Sequence, residues 1–272
     1  MTTKLIKGLS QVQSKYDVFL IDLWGVIHNG IHLYSEAINV LKNLNKLEKK
    51  FVLISNAPRP SKIVEKYLIN LKMDKVFLKN IFTSGEAALL TLKKNSYGKT
   101  FYHLGPTRDK DLIKGFEENQ TTIEKCDFIL CTGLLESEES SLYYYKNLLS
   151  KHTKLKMICT NPDLIVHRGS QVEYCAGSLA QVFEKLGGKV IYFGKPYPEI
   201  YNFCVKKNET ILAIGDNIRT DIKGANKMNF DSLFITNGVH RDEFLNMPVE
   251  KYDKILEKYK TQTNYYQERL VW

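Results

Sequence analysis

The chain has 272 residues, 43% hydrophobic and 25% charged, the balance of one large or two modest globular domains rather than a disordered, fibrous or membrane-embedded chain. Lys and Arg number 39 against 30 Asp and Glu, but the excess is scattered in pairs such as Lys49-Lys50 and Lys206-Lys207, without a basic stripe, an aromatic RNA-binding motif or a Cys/His finger, so no nucleic-acid partner is expected. Five cysteines without a C-x-x-C pair argue against disulfides or a zinc knuckle, and the polar first eight residues and the lack of any 18-residue apolar run lead us to expect a cytoplasmic protein without a membrane partner.

Residues 17–22 form an apolar run bounded by carboxylates, the pattern of a strand buried on both faces of a parallel sheet. A helix follows from Ser35, with Ile38, Leu41, Leu44 and Leu47 at helical spacing, and then a second strand over 51–55. Ser61 and Ser84 open helices reaching about Leu71 and Leu92. A second α/β set is predicted from about residue 85, with strands at 101–104, 127–132 and 156–160 and helices at 108–116, 137–151 and 178–186. After Gly187-Gly188, three strands at 190–194, 211–216 and 232–236 are expected to resume the first sheet. The aromatic tail, with Tyr265, Tyr266 and Trp272, is expected to pack on the surface.

Ligands of open parallel sheets bind beyond the carboxyl ends of the strands. The residues there are Asp22, Ser55-Asn56, Lys195, and Asp216 with Asp221. Magnesium prefers hard carboxylate oxygens, an aspartate can attack phosphorus, and a lysine and a hydroxyl can stabilise charge on phosphoryl oxygens, so this set suits phosphoryl transfer. Taken singly, each residue also has an ordinary structural use, such as Thr220 and Asp221 beginning a helix.

The ordered segments Asp22-Leu23-Trp24-Gly25-Val26, Ser55-Asn56, Gly194-Lys195-Pro196 and Gly215-Asp216-x-x-x-Thr220-Asp221 resemble the four motifs of the haloacid dehalogenase (HAD) superfamily. The insert opened by Thr83-Ser84-Gly85-Glu86-Ala87, and Thr160-Asn161-Pro162-Asp163 within it, resemble the α/β cap of the class IIA branch, which includes nucleotide and pyridoxal-phosphate phosphatases. The resemblance covers roughly residues 15 to 240 and implies an α/β fold: a Rossmann-like core from 1–83 and 188–272 carrying an α/β cap from 84–187. It further implies Asp22 as nucleophile and metal ligand, with the Trp24 carbonyl, Asp216 and Asp221 completing a Mg2+ site. Ser55 and Lys195 would hold the phosphoryl group.

Asn56, Asn161, Asp163 and Arg168 are candidate substrate-binding residues, because polar residues of turn-rich segments after strands gather at binding sites. The expected reaction is magnesium-dependent hydrolysis of a small phosphorylated metabolite through an aspartyl-phosphate, and the cap offers a surface for a homodimer. One position departs from the family pattern. The first motif normally reads Asp-x-Asp, its second aspartate serving as general acid/base, and here Trp24 stands instead. An indole N–H does not shuttle protons at neutral pH, a loss of about 10²–10⁴-fold for a poor leaving group. His28 is the nearest surrogate acid/base in sequence. Two other readings stay open: a substrate with a good leaving group, or a phosphometabolite-binding or regulatory protein with attenuated or lost catalysis.

Overall fold

The computed structural model describes residues 3–138, 141–168 and 171–272, the Arg168 side chain excepted. The strands are β1 (Lys4–Leu5), β2 (Val18–Asp22), β3 (Lys50–Ser55), β4 (Ile81–Thr83), β5 (Phe101–Leu104), β6 (Phe128–Cys131), β7 (Lys156–Cys159), β8 (Ile165–Arg168), β9 (Gln171–Tyr174), β10 (Lys189–Tyr192), β11 (Ile211–Gly215), β12 (Asp231–Ile235) and β13 (Tyr265–Gln267). They build a seven-stranded sheet ordered β1-β13-β12-β11-β2-β3-β4, a four-stranded sheet ordered β10-β7-β6-β5, and an antiparallel ribbon β8-β9. Both larger sheets are parallel throughout. The fold class is therefore α/β, as the apolar runs predict.

Sheet order turns at the centre of the large sheet. From β2 the chain runs outward through β3 and β4 on one side, and β11, β12 and β13 extend the other. This switch point leaves a crevice beyond the carboxyl ends of β2 and β11, where loops diverge. All five residues of β2 and all five of β11 are buried, because helices cover both faces of the sheet. Helices α1 (Ser35–Lys46) and α2 (Ser61–Asn70) supply Val40, Leu41, Leu44, Val64 and Leu68 to the core on one face. Across the sheet, Val18, Leu20 and Ile54 pack with Ile200, Tyr201 and Ala225.

Three expectations about the elements are corrected. Residues 189–192 do not return to the large sheet; β10 pairs with β7 at the edge of the small one, so that sheet runs past the boundary expected at residue 188. A four-residue strand with Lys189 exposed and the rest half-buried carries no pattern that says which sheet it joins. The tail is not a surface appendage: β13 lies between β1 and β12, with Tyr265 and Tyr266 buried. The segment expected as a helix over 108–116 is instead a tighter 3-10 stretch, Thr107–Ile113. Among the described residues no helix is long and apolar enough to cross a membrane.

Candidate active site

The crevice gathers the strand-end residues. Asp22 ends β2, Ser55 ends β3, and Asp216 follows β11. Asp221 lies in the helical turn Ile218–Ile222, where Asn217 N donates to its Oδ2 at 3.1 Å. Each of the three carboxylates offers an oxygen within 4.8 Å of the others, and all three residues are buried. Lys195 enters from the loop after β10. Its Nζ lies 2.5 Å from Asp22 Oδ1 and 2.7 Å from Asp221 Oδ1.

Asn56 holds that lysine in place. Its Oδ1 accepts from Lys195 N at 2.7 Å and its Nδ2 donates to Lys195 O at 3.0 Å, a two-point clamp on the backbone of one residue. The Asn56 amide is thus committed to the loop rather than free for substrate. Asp216 is fixed by Val239 N, which donates to Oδ2 at 2.8 Å. Gly25 has φ +86°, and a Cβ there or at Gly238 would run into the Asp216 carboxylate. Both glycines are therefore part of how the carboxylate fits.

Burial pushes the Asp22 carboxyl up, against the lowering effect of the Lys195 ammonium. Asp216 is raised well above the carboxylate range, first by burial and then by repulsion from Asp22 and Asp221. Burial alone would disfavour the Lys195 ammonium, but Asp22, Asp221 and Asp163 outweigh it and hold the lysine cationic. A buried cluster with more carboxylates than counter-charges, and only hard oxygen donors, fits a divalent cation such as magnesium. Trp24, whose carbonyl is the expected further ligand, lies two residues beyond Asp22 and lines the same cavity of about 1020 Å3.

Asp163 reaches this cavity from the other side, out of the loop between β7 and β8. Its Oδ1 accepts from Asn56 Nδ2 and Asn217 Nδ2, each at 3.3 Å, and burial pushes its carboxyl up to about 6. Asn161 also lines the cavity, with Oδ1 accepting from Asp163 N at 3.0 Å, so it shapes the turn that presents Asp163. Arg168 ends β8, and its side chain lies outside the described residues.

His28, the candidate surrogate acid/base, lines the same cavity. It is 2% exposed, its Nδ1 accepts from Gly30 N at 3.0 Å, and burial pushes its ring down to about 4. Burial disfavours the imidazolium, and the ring packs edge-on against Trp24 and Tyr67. Sequence reasoning also missed two links across the crevice. Trp24 Nε1 donates to His167 O at 2.7 Å, and Arg59 Nε lies 2.8 Å from the buried Asp109 Oδ1. Neither has a sequence signal, because the partners are separated by 143 and 50 positions. Asn217 could have been suspected from its place beside Asp216.

Two family models match the chain: haloacid dehalogenase-like hydrolase over residues 19–117, and HAD-hydrolase-like over 192–261. These segments carry Asp22, Ser55, Lys195, Asp216 and Asp221. The chain belongs to the haloacid dehalogenase superfamily. It is 25% identical over 248 residues to 5'-nucleotidase YutF of Bacillus subtilis (strain 168), covering 87% of this chain and 93% of that protein. It is 32% identical over 99 residues to the ribonucleotide monophosphatase NagD of Escherichia coli (strain K12), covering 34% and 38% of the two chains. A haloacid dehalogenase-like hydrolase from Brucella suis 1330 superposes with a TM-score of 0.84 at 28% identity, covering 98% of this chain and all of that one. The protein is accordingly a haloacid dehalogenase-like hydrolase, and its small sheet lies in the chain between β4 and β11.

Proposed function

We propose that this HAD hydrolase is a cytoplasmic, magnesium-dependent phosphatase that transfers the phosphoryl group of a small phosphorylated metabolite to Asp22 and then to water. The observation that carries this reading is Lys195 Nζ held between Asp22 and Asp221, beside a third buried carboxylate, Asp216. The similarity to a 5'-nucleotidase and a ribonucleotide monophosphatase and the cavity volume favour an organic phosphate as large as a nucleoside monophosphate.

In the first step an Asp22 oxygen attacks phosphorus, the bond from phosphorus to the leaving oxygen breaks, and that oxygen departs with the electron pair and takes a proton from water. In the second, water attacks the phosphorus of the aspartyl-phosphate. The bond to Asp22 breaks, and phosphate, the carboxylate and one proton are released. Lys195 keeps the nucleophile oriented and offsets charge on the phosphoryl oxygens. Ser55 Oγ accepts from Ala57 N at 3.1 Å, which leaves its hydroxyl proton to donate to the phosphoryl group. Magnesium, held by Asp22, Asp216, Asp221 and the Trp24 carbonyl, would supply charge neutralisation between nucleophile and phosphate. The small sheet with its ribbon serves as the cap, restricting bulk water.

One observation favours a second reading, a phosphometabolite-binding protein with weakened turnover: the residue in the acid/base position is an indole whose N–H is bonded to His167 O. Phosphate release from a metabolite panel, with and without magnesium, for the native chain and Asp22→Asn separates the two. Magnesium-dependent release lost in Asp22→Asn supports the phosphatase; thermal stabilisation by the same ligands without release, in both proteins, supports the binding role.

A further inference from the structure

One wall of the cavity is the ribbon β8-β9. An isolated two-stranded ribbon is marginally stable in water, and neither of its strands joins the two larger sheets. Its base is well tied: Cys175 N donates to Leu164 O at 2.9 Å, and Ser178 Oγ donates to the same carbonyl at 2.7 Å. Farther along β8, the carbonyl of His167 accepts the Trp24 indole N–H at 2.7 Å. On β9, Arg108 Nη2 lies 4.0 Å from Glu173 Oε2 with half of the arginine side chain exposed, a geometry worth little.

The indole donor is itself fixed. Its ring meets His28 edge-on at 5.1 Å, and His28 meets Tyr67 edge-on at 5.7 Å. The Tyr67 hydroxyl donates to Gly30 O at 2.8 Å, and Gly25 N donates to His28 O at 2.8 Å. Trp24 is two residues from Asp22, so one side chain joins the loop bearing the nucleophile to the opposite wall of the cavity. That wall presents Ile165, Val166, Val172 and Tyr174 together with the polar Gln171 and Glu173, a mixed surface able to receive the organic part of a substrate.

We infer that Trp24 is a positioning residue: its indole N–H fastens strand β8 to the nucleophile loop and sets the distance between Asp22 and the wall that receives the organic part of the substrate. The geometry stands on its own, and the catalytic meaning rests on the proposed function. A position that elsewhere in the superfamily moves a proton here ties the two sides of the substrate cavity together. Weakening the tie therefore costs affinity for substrates large enough to reach β8-β9, and little for small ones.

Trp24→Phe keeps an aromatic ring and removes the donor. Amide hydrogen exchange in the described residues of β8 and β9 should quicken by about threefold to tenfold, the worth of one ordinary hydrogen bond, while β5, β6 and β7 stay unchanged. In turnover, KM should rise by roughly the same factor for p-nitrophenyl phosphate and by less for acetyl phosphate. A measurement on the native chain guards against misfolding of the variant. The chain has two tryptophans, so Trp272→Phe assigns the Trp24 indole proton by NMR, and that proton should exchange slowly with solvent. Unchanged ribbon exchange in Trp24→Phe, or a solvent-fast Trp24 indole proton, overturns the inference. Absence of phosphate release from the native chain would sink the proposed function instead, leaving the exchange measurements to decide the role of Trp24.

Discussion

Lys195 Nζ lies 2.5 Å from Asp22 Oδ1, with both side chains less than a tenth exposed. Removing one partner of such a pair leaves the other as an uncompensated buried charge. Lys195→Met should therefore destabilise the metal-free protein by about 3–5 kcal/mol in urea unfolding. It should also lower kcat/KM for phosphate release by on the order of 10²–10³-fold. Magnesium should restore part of the stability and little of the rate, because the cation replaces the charge but not the contact with the phosphoryl oxygens.

The carboxylates set a pH dependence that a divalent cation should cancel. Burial raises the folded values of Asp22 and of Asp163, the latter to about 6, from an ordinary 3.8. A raised carboxylate contributes stability that is fully present below the ordinary value and is lost as pH rises through the folded one. Metal-free protein should thus lose this part of its stability between about pH 4 and 8. Saturating magnesium should raise Tm by about 5–10 °C at the upper end of that range. Asp22→Asn should flatten the pH trend in thermal scans with chelator; a native chain whose melting ignores magnesium at pH 8 would contradict the assignment of the cluster.

Asn56 offers a test of the loop clamp. Asn56→Ala removes both bonds to the Lys195 backbone and leaves a buried N–H and C=O unpaired, a cost of about 1–3 kcal/mol for each group that water does not reach. Activity should fall further than stability explains, since the Lys195 ammonium loses its fixed position. A variant that melts early but turns over normally at low temperature would show that Lys195 is held by its ion pairs alone.

His28 should behave as a packing residue. Its ring is pushed down to about 4, so its contribution to stability is complete above about pH 6.5 and lost as pH falls through 4. His28→Phe should abolish that acid-side loss while leaving the pH profile of phosphate release unchanged. A shifted profile would return His28 to the proton-transfer chemistry.

Much of the site was legible because the chemistry sits at strand ends. Apolar runs mark buried parallel strands, and the residue after each run is the one that faces the crevice, so Asp22, Ser55 and Asp216 could be placed from pattern alone. What pattern could not supply was which strand joins which sheet. Residues 189–192 and 265–267 are too short to announce their neighbours, and both were misplaced. Long-range ties were equally hidden. The Trp24 indole bonds a backbone carbonyl, which any residue at position 167 would provide, and the role of Asn56 lies in backbone groups 139 positions away. The departure at Trp24 was visible at once; that it bridges the cavity required the fold.

The most direct test of the central claim is magnesium-dependent phosphate release, measured on p-nitrophenyl phosphate and a nucleoside monophosphate panel for the native chain and Asp22→Asn at matched stability. The account predicts turnover by the native chain that requires magnesium, together with a phosphorylated Asp22 trapped on rapid quenching, and neither in Asp22→Asn. Equal release by the two proteins, or release by the native chain that is indifferent to magnesium, would contradict it.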